Sequence, residues 1–143
     1  NKGLEYNSAY LCPLKPDLSP ILKEQDILEM PIYYMDHVDL ITQATGFRIE
    51  KLLLDSPGMK IFDFHPNMLF INAPTVQHYQ MSKQHYHEPE QLRRLRHGGR
   101  GVRTLFLELL DWMAARGVAN PTLGELNSEW RCSQNLQPAR ITR

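Results

Sequence analysis

Apolar residues recur at helical spacing most clearly near the end of the chain. Val102, Leu105, Phe106, Leu109, Leu110 and Met113 stand at i, i+3, i+4, i+7, i+8 and i+11, one continuous stripe. This predicts a helix over residues 102–116, with Gly117 as its C-cap. Thr122-Leu-Gly-Glu125 has capping-box spacing and predicts a second helix starting there. Two short runs have strand character instead. One is MPIYYM, residues 30–35, with Pro31 among its first residues, where a proline is tolerated. The other is the aromatic and β-branched run Ile61, Phe62 and Phe64. Pro66 ends that run and biases His65 towards an extended backbone, and a second apolar run begins at Met68. Residues 42–54 read as a helix interrupted by Gly46, and Ser56-Pro57-Gly58 as a turn. Residues 1–28 are punctuated by Pro13, Pro16 and Pro20 and read as a loop crossing a surface. Residues 72–100 are polar, histidine-rich and end in HGGRG, which reads as a long exposed and mobile loop. Strand, helix, strand and then helices imply an α/β chain with mainly parallel strands and flanking helices.

Composition narrows the class without changing the pattern. The chain has 143 residues, 42% hydrophobic and 22% charged, the proportions of one globular domain spanning 1–143. A domain of this size buries roughly two-thirds of its unfolded surface. Lys plus Arg is 16 and Asp plus Glu is 16, so net charge supports no nucleic-acid partner. No apolar stretch approaches the roughly 20 residues of a membrane span. No signal peptide opens the sequence, which points to the cytoplasm, although NKGLEYNSAY reads like the interior of a domain. Cys12 and Cys132 have no metal-ligand spacing and are expected to be free thiols.

Candidate chemistry gathers where the two strand-like runs end. Asp36 and Asp39 follow the first, three residues apart with His37 between them, and His65 closes the second. If the strands are parallel neighbours, Asp36 and His65 share one carboxyl edge, where a carboxylate can orient an imidazole and the imidazole can donate a proton. The bland alternatives are that an aspartate caps the following helix and that His65 is a structural histidine. His85 and His87 would share a face if extended, but no third metal ligand stands at a characteristic spacing, and a solvated loop is the better reading. Gly98-Gly99-Arg100-Gly101 before a helix resembles an anion site but lacks the preceding strand, so a hinge is expected. Trp112 and Trp130 are expected to pack. Phosphate-loop, GxSxG and HExxH motifs are absent from the sequence.

One stretch carries more than spacing does. KIFDFHPNMLFIN, residues 60–72, resembles the segment K-x-F-D-F-H-P-x-x-x-x-x-N found late in polysaccharide-deacetylase-like proteins of the NodB-homology superfamily. GLEYNSAY, MPIYYMDHVDL and GRGVRTLFLELLDWM extend the likeness along most of the chain in the same order. The resemblance implies part of a distorted (β/α) barrel and metal-dependent hydrolysis of N-acetyl groups on a glycan substrate. It implies His65 as the proton donor to the departing amine. Asp36 and Asp39 fall near the family's D-x-x-D-W motif, with Leu40 in place of its Trp, and Tyr34, His37 and Asn72 are implied as substrate-binding positions. A divalent metal, zinc or similar, is expected for the family. Its early aspartate and histidine motifs find no counterpart in this sequence, so the chain reads as the carboxyl-terminal half of such a domain. Other readings stay open: a non-catalytic glycan-binding or scaffold protein on the same fold, or an unrelated α/β interaction domain with a structural His65.

Overall fold

The computed structural model describes residues 3–136. In chain order its elements are β1 (Tyr6–Asn7), β2 (Ile21–Leu22), β3 (Leu28–Glu29), β4 (Ile32–Met35), α1 (Asp36–Thr42), β5 (Ile61–Asp63), α2 (Pro66–Ile71), α3 (Val76–Ser82), α4 (Pro89–Arg94), α5 (Val102–Arg116) and α6 (Leu123–Ser133). The chain is mixed α/β with short strands. One sheet has the order β1-β3-β2, with β1 parallel to β3 and β2 antiparallel to it, and β4 pairs with β5 in a second. An isolated parallel bridge joins Leu11 to Ile32, so β2 with β3 is the antiparallel exception to the parallel pairing expected. The connection from β2 to β3 is a short 3-10 turn, and a link that short can only return the chain antiparallel.

Residues divide into two compact units. The first draws on residues up to Tyr34, Ser56–Phe62 and residues from Ala119 onward. Leu28, Met30, Ile32 and Tyr33 are buried in it, and the Phe62 ring meets Tyr33 edge-on at 5.9 Å. Helix α6 opens on the expected capping box: Thr122 accepts the Glu125 N–H and Glu125 accepts the Thr122 N–H. Over residues 3–28 the expected loop is interrupted by β1, β2, the 3-10 turn Glu24–Asp26 and the start of β3 at Leu28. Both cysteines are free.

The second unit comprises Met35–Asp55 and Asp63–Val118. Helix α5 has the bounds its periodicity predicts, and Gly117 caps it at φ 60°. Val102, Leu105 and Leu109 are buried, and α5 packs against α2, whose Met68 and Ile71 are buried too. Each such burial contributes about 1.5–3 kcal/mol. Leu110, from the same stripe, is exposed, so the buried face is narrower than the apolar pattern.

Two expected elements differ. Residues 42–54 are not one helix: α1 ends at Thr42, and only a 3-10 turn, Ile49–Leu52, follows. Gln43, Gly46 and Phe47 all take left-handed φ, which no continuous helix accommodates. Residues 72–100 are not a structureless loop, since they hold α3 and α4. Thr75 caps α3 by accepting the His78 N–H, Pro89 occupies the first turn of α4, and His78 Nε2 bonds the Leu95 carbonyl at 2.8 Å. Both helices are short and mostly polar, which is why apolar periodicity did not announce them. Among the described residues no helix is long and apolar enough to cross a membrane.

Candidate active site

Asp36 and His65 are brought into direct contact. Asp36 directly follows β4 as the first residue of α1, and His65 precedes Pro66, the first residue of α2. His65 has the extended backbone that a following proline imposes, φ −87° and ψ 121°. That conformation aims both its N–H and its ring at one carboxylate. Asp36 Oδ2 accepts the His65 N–H at 2.8 Å, and Oδ1 lies 2.6 Å from Nδ1. Asp36, directly after β4, and His65, two residues after β5, thus meet at a single place.

The electrostatics of the pair are asymmetric. The Asp36 side chain is fully buried, while that of His65 is 38% exposed. Burial pushes the Asp36 carboxyl up, the hydrogen bonds from His65 and from the His37 N–H pull it down, and burial wins. A carboxylate offers only acceptors, so the proton of the contact lies between Oδ1 and Nδ1. Nε2 is the ring nitrogen left for chemistry. A buried carboxylate beside a partly exposed imidazole is an arrangement in which the ring can be oriented for proton transfer.

The remaining expected site residues fall in different places. His37 is exposed, with its ring 5.8 Å from that of His65 and edge-on to it. Asp39 is buried, and its carboxylate accepts both the Thr45 N–H, at 2.8 Å, and the Thr45 hydroxyl. Those bonds close the loop after α1, the local capping role that aspartate often takes. Tyr34 is buried in the first unit, with its ring 6.0 Å from Phe62. Asn72 is buried at the end of α2 in the left-handed conformation. Its Nδ2 donates to the His97 and Gly99 carbonyls at 2.9 and 2.8 Å, and its Oδ1 accepts the N–H groups of Arg103 and Thr104 at 3.0 and 3.2 Å.

Asn72 also decides the fate of the Gly-rich stretch. Its Oδ1 takes the N–H groups that an anion at the start of α5 would use, so this helix start is already capped. A Cβ at Gly101 would lie 2.4 Å from the Asn72 carbonyl oxygen, so glycine is required there by closeness rather than by hinge motion. His85 ends a 3-10 turn and the following Tyr86 is helical, so His85 and His87 do not share an extended face. Among the described residues no three His, Cys, Asp or Glu side chains gather as a metal-ligand set. The residues present therefore do not fit the divalent metal expected for the family.

A polar aromatic cluster beside the pair was missed in the sequence. Tyr79 of α3 faces the His37 ring at 6.3 Å, and Asn67 of α2 donates to the Tyr79 and Tyr86 hydroxyls. The four-residue spacing of Lys83 from Tyr79 on a helix was the one signal available, and a segment read as loop concealed it.

Comparison with known proteins bears on family and fold. Residues 1–83, more than half of the chain, match the family model described as WbmS-like polysaccharide deacetylase, and the chain belongs to that family. A crystal structure of a candidate polysaccharide deacetylase involved in O-antigen biosynthesis from Bordetella bronchiseptica has the same fold, with a TM-score of 0.67 at 23% identity. The likeness covers 76% of this chain and 46% of that one, so the chain spans less than half the length of its structural neighbour. No curated protein matches the chain.

Proposed function

We propose that this member of the WbmS-like polysaccharide deacetylase family contributes the proton-donating side of a metal-dependent deacetylase that hydrolyses N-acetyl groups on a glycan. The observation that carries the reading is the Asp36–His65 pair. In this reading the protonated His65 delivers the Nε2 proton to the departing amine nitrogen as the amide C–N bond breaks. Asp36 holds the ring through Nδ1 and stabilises the imidazolium. The exposed His37 contacts the sugar, while Asp39 and Asn72 support the site through the loop and helix-cap contacts they make. The mixed α/β arrangement and the 46% coverage of the neighbour support a further reading: residues 1–143 form one domain, the carboxyl-terminal half of a distorted (β/α) barrel. The metal ligands then come from outside these residues.

The test measures acetate release from an N-acetylated oligosaccharide, with and without Zn²⁺ or Co²⁺. Two proteins are compared: the chain alone, and the chain joined behind the amino-terminal half of the Bordetella neighbour. Metal-dependent release by the chimera, lost in His65→Asn, and none by the chain alone is the expected result. Release by a folded chimera that is indifferent to His65→Asn would sink the assignment. The missing three-ligand set favours a second reading, a non-catalytic glycan-binding protein on the same fold. That reading would be supported by glycan binding with no acetate release from a folded, metal-loaded chimera.

A further inference from the structure

We propose that Tyr79, Asn67 and Tyr86, with Lys83 over the Tyr79 ring, form a subsite for an acidic sugar beside the Asp36–His65 pair; the proposal rests on the glycan reading above. Tyr86 lies beyond the residues that the family model matches.

Hydrogen-bond accounting carries the argument. Asn67 stands two residues after His65, in the first turn of α2. Its Oδ1 accepts the Met68 N–H at 3.0 Å, which fixes which end of the amide faces the phenols. Its Nδ2 then donates to the Tyr86 hydroxyl at 2.8 Å and to the Tyr79 hydroxyl at 3.3 Å. Both phenol oxygens are thereby occupied as acceptors, and each still carries a proton to donate. At most one of those protons can pass between the two phenols, so at least one is directed to an acceptor outside the cluster. Burial, with Tyr79 beside it, pushes the Tyr86 phenol up to about 12, so it stays a donor at neutral pH. Water satisfies such a donor in the free protein, and a ligand oxygen can replace that water.

The charge beside this donor selects the ligand. Lys83 Nζ lies 4.8 Å from the centre of the Tyr79 ring and makes no ion pair among the described residues. A neutral sugar hydroxyl would satisfy the phenol alone. A carboxylate satisfies the phenol and the ammonium together, with the added strength of charge-assisted bonds. The His37 ring lies between His65 and Tyr79, at 5.8 and 6.3 Å from the two rings, so a sugar next to the imidazole reaches the phenols. Tyr86 is 38% exposed and Lys83 is exposed, which leaves both accessible. A uronic acid residue next to the acetylated sugar is the ligand that fits.

The experiment titrates the full chain with hyaluronan tetrasaccharide, which is acidic, and with chitotetraose, which is neutral, following amide and side-chain resonances by NMR. The acidic probe is expected to bind more tightly and to shift Tyr86, Lys83 and His37. Tyr86→Phe and Lys83→Gln should each weaken it about tenfold, and added salt should weaken it in the wild-type chain but far less in Lys83→Gln. Chitotetraose affinity should not respond to Lys83→Gln. Equal affinity for the two probes, no binding of either, or a folded Tyr86→Phe and Lys83→Gln pair that binds like wild type overturns the subsite. Binding at these residues with no acetate release by the chimera supports the subsite and removes the deacetylase reading. Acetate release whose KM for the acidic probe ignores both substitutions does the reverse.

Discussion

Glu29 of the first unit and Asp36 of the second are both fully buried carboxylates, and their electrostatics run in opposite directions. Glu29 of β3, in the first unit, is fully buried. Its Oε1 accepts the N–H groups of Ala9 and Tyr10 at 2.8 and 2.9 Å, and its Oε2 meets Lys23 Nζ at 2.5 Å. Burial pushes this carboxyl up, but the lysine and the two N–H groups outweigh it and hold it below the ordinary range. Asp36 of the second unit is also fully buried, but there burial outweighs the hydrogen bonds from His65 and the His37 N–H, and its carboxyl stays above the ordinary range. The difference lies in which influence wins, the burial or the hydrogen bonds and charge that oppose it.

The largest effect that tests this contrast is on turnover. In the chimera, His65→Asn and Asp36→Asn should each lower kcat by roughly 10²- to 10⁴-fold, because the first removes the acid and the second its orientation. Glu29→Gln should leave kcat within about twofold of wild type. A comparable loss in Glu29→Gln would erase the distinction between the two carboxylates.

Stability should rank them the other way round. Glu29→Ala leaves two backbone donors and Lys23 without their acceptor, and should cost about 2–3 kcal/mol in urea unfolding. Asp36→Asn keeps the shape and removes a charge whose burial was unfavourable, so its cost should stay within about 1 kcal/mol. A larger loss in Asp36→Asn than in Glu29→Ala would make Asp36 the structural group.

The smallest effect is on the pH dependence of stability. Because Glu29 is held low, its contribution is present above its unfolded value and is lost as pH falls through the still lower folded value. Because Asp36 is held high, its contribution is present below about pH 4 and is lost as pH rises through the raised folded value. Urea midpoints measured from pH 3 to 7 should therefore lose acid sensitivity in Glu29→Gln. In Asp36→Asn they should lose the opposing decline just above pH 4. Slopes of the same sign for the two carboxylates would refute the contrast.

The expectation that His65 lies near Asp36 was legible for a local reason. Pro66 restricts His65, and the short apolar runs before Asp36 and His65 mark strands that stop there. The roles of Asp39 and Asn72 were not legible, since each depends on which backbone groups a fold leaves unpaired nearby. Thr45 takes one carboxylate, and the start of α5 takes the Asn72 amide. Nothing in DHVDL or FIN states that in advance.

What the sequence determined by itself are features whose causes lie within a turn or two of chain: the bounds of α5, the capping box of α6, the extended His65 and the glycine that ends α5. Tertiary structure alone decided the mixed strand pairing, the use of Asn72 as a cap, the closeness that demands Gly101, and the opposite shifts of Glu29 and Asp36. Each of those depends on groups distant in sequence and on the water that folding removes from between them. A hydrogen bond or a charge inside the fold takes its strength from that exclusion, and no local pattern records it.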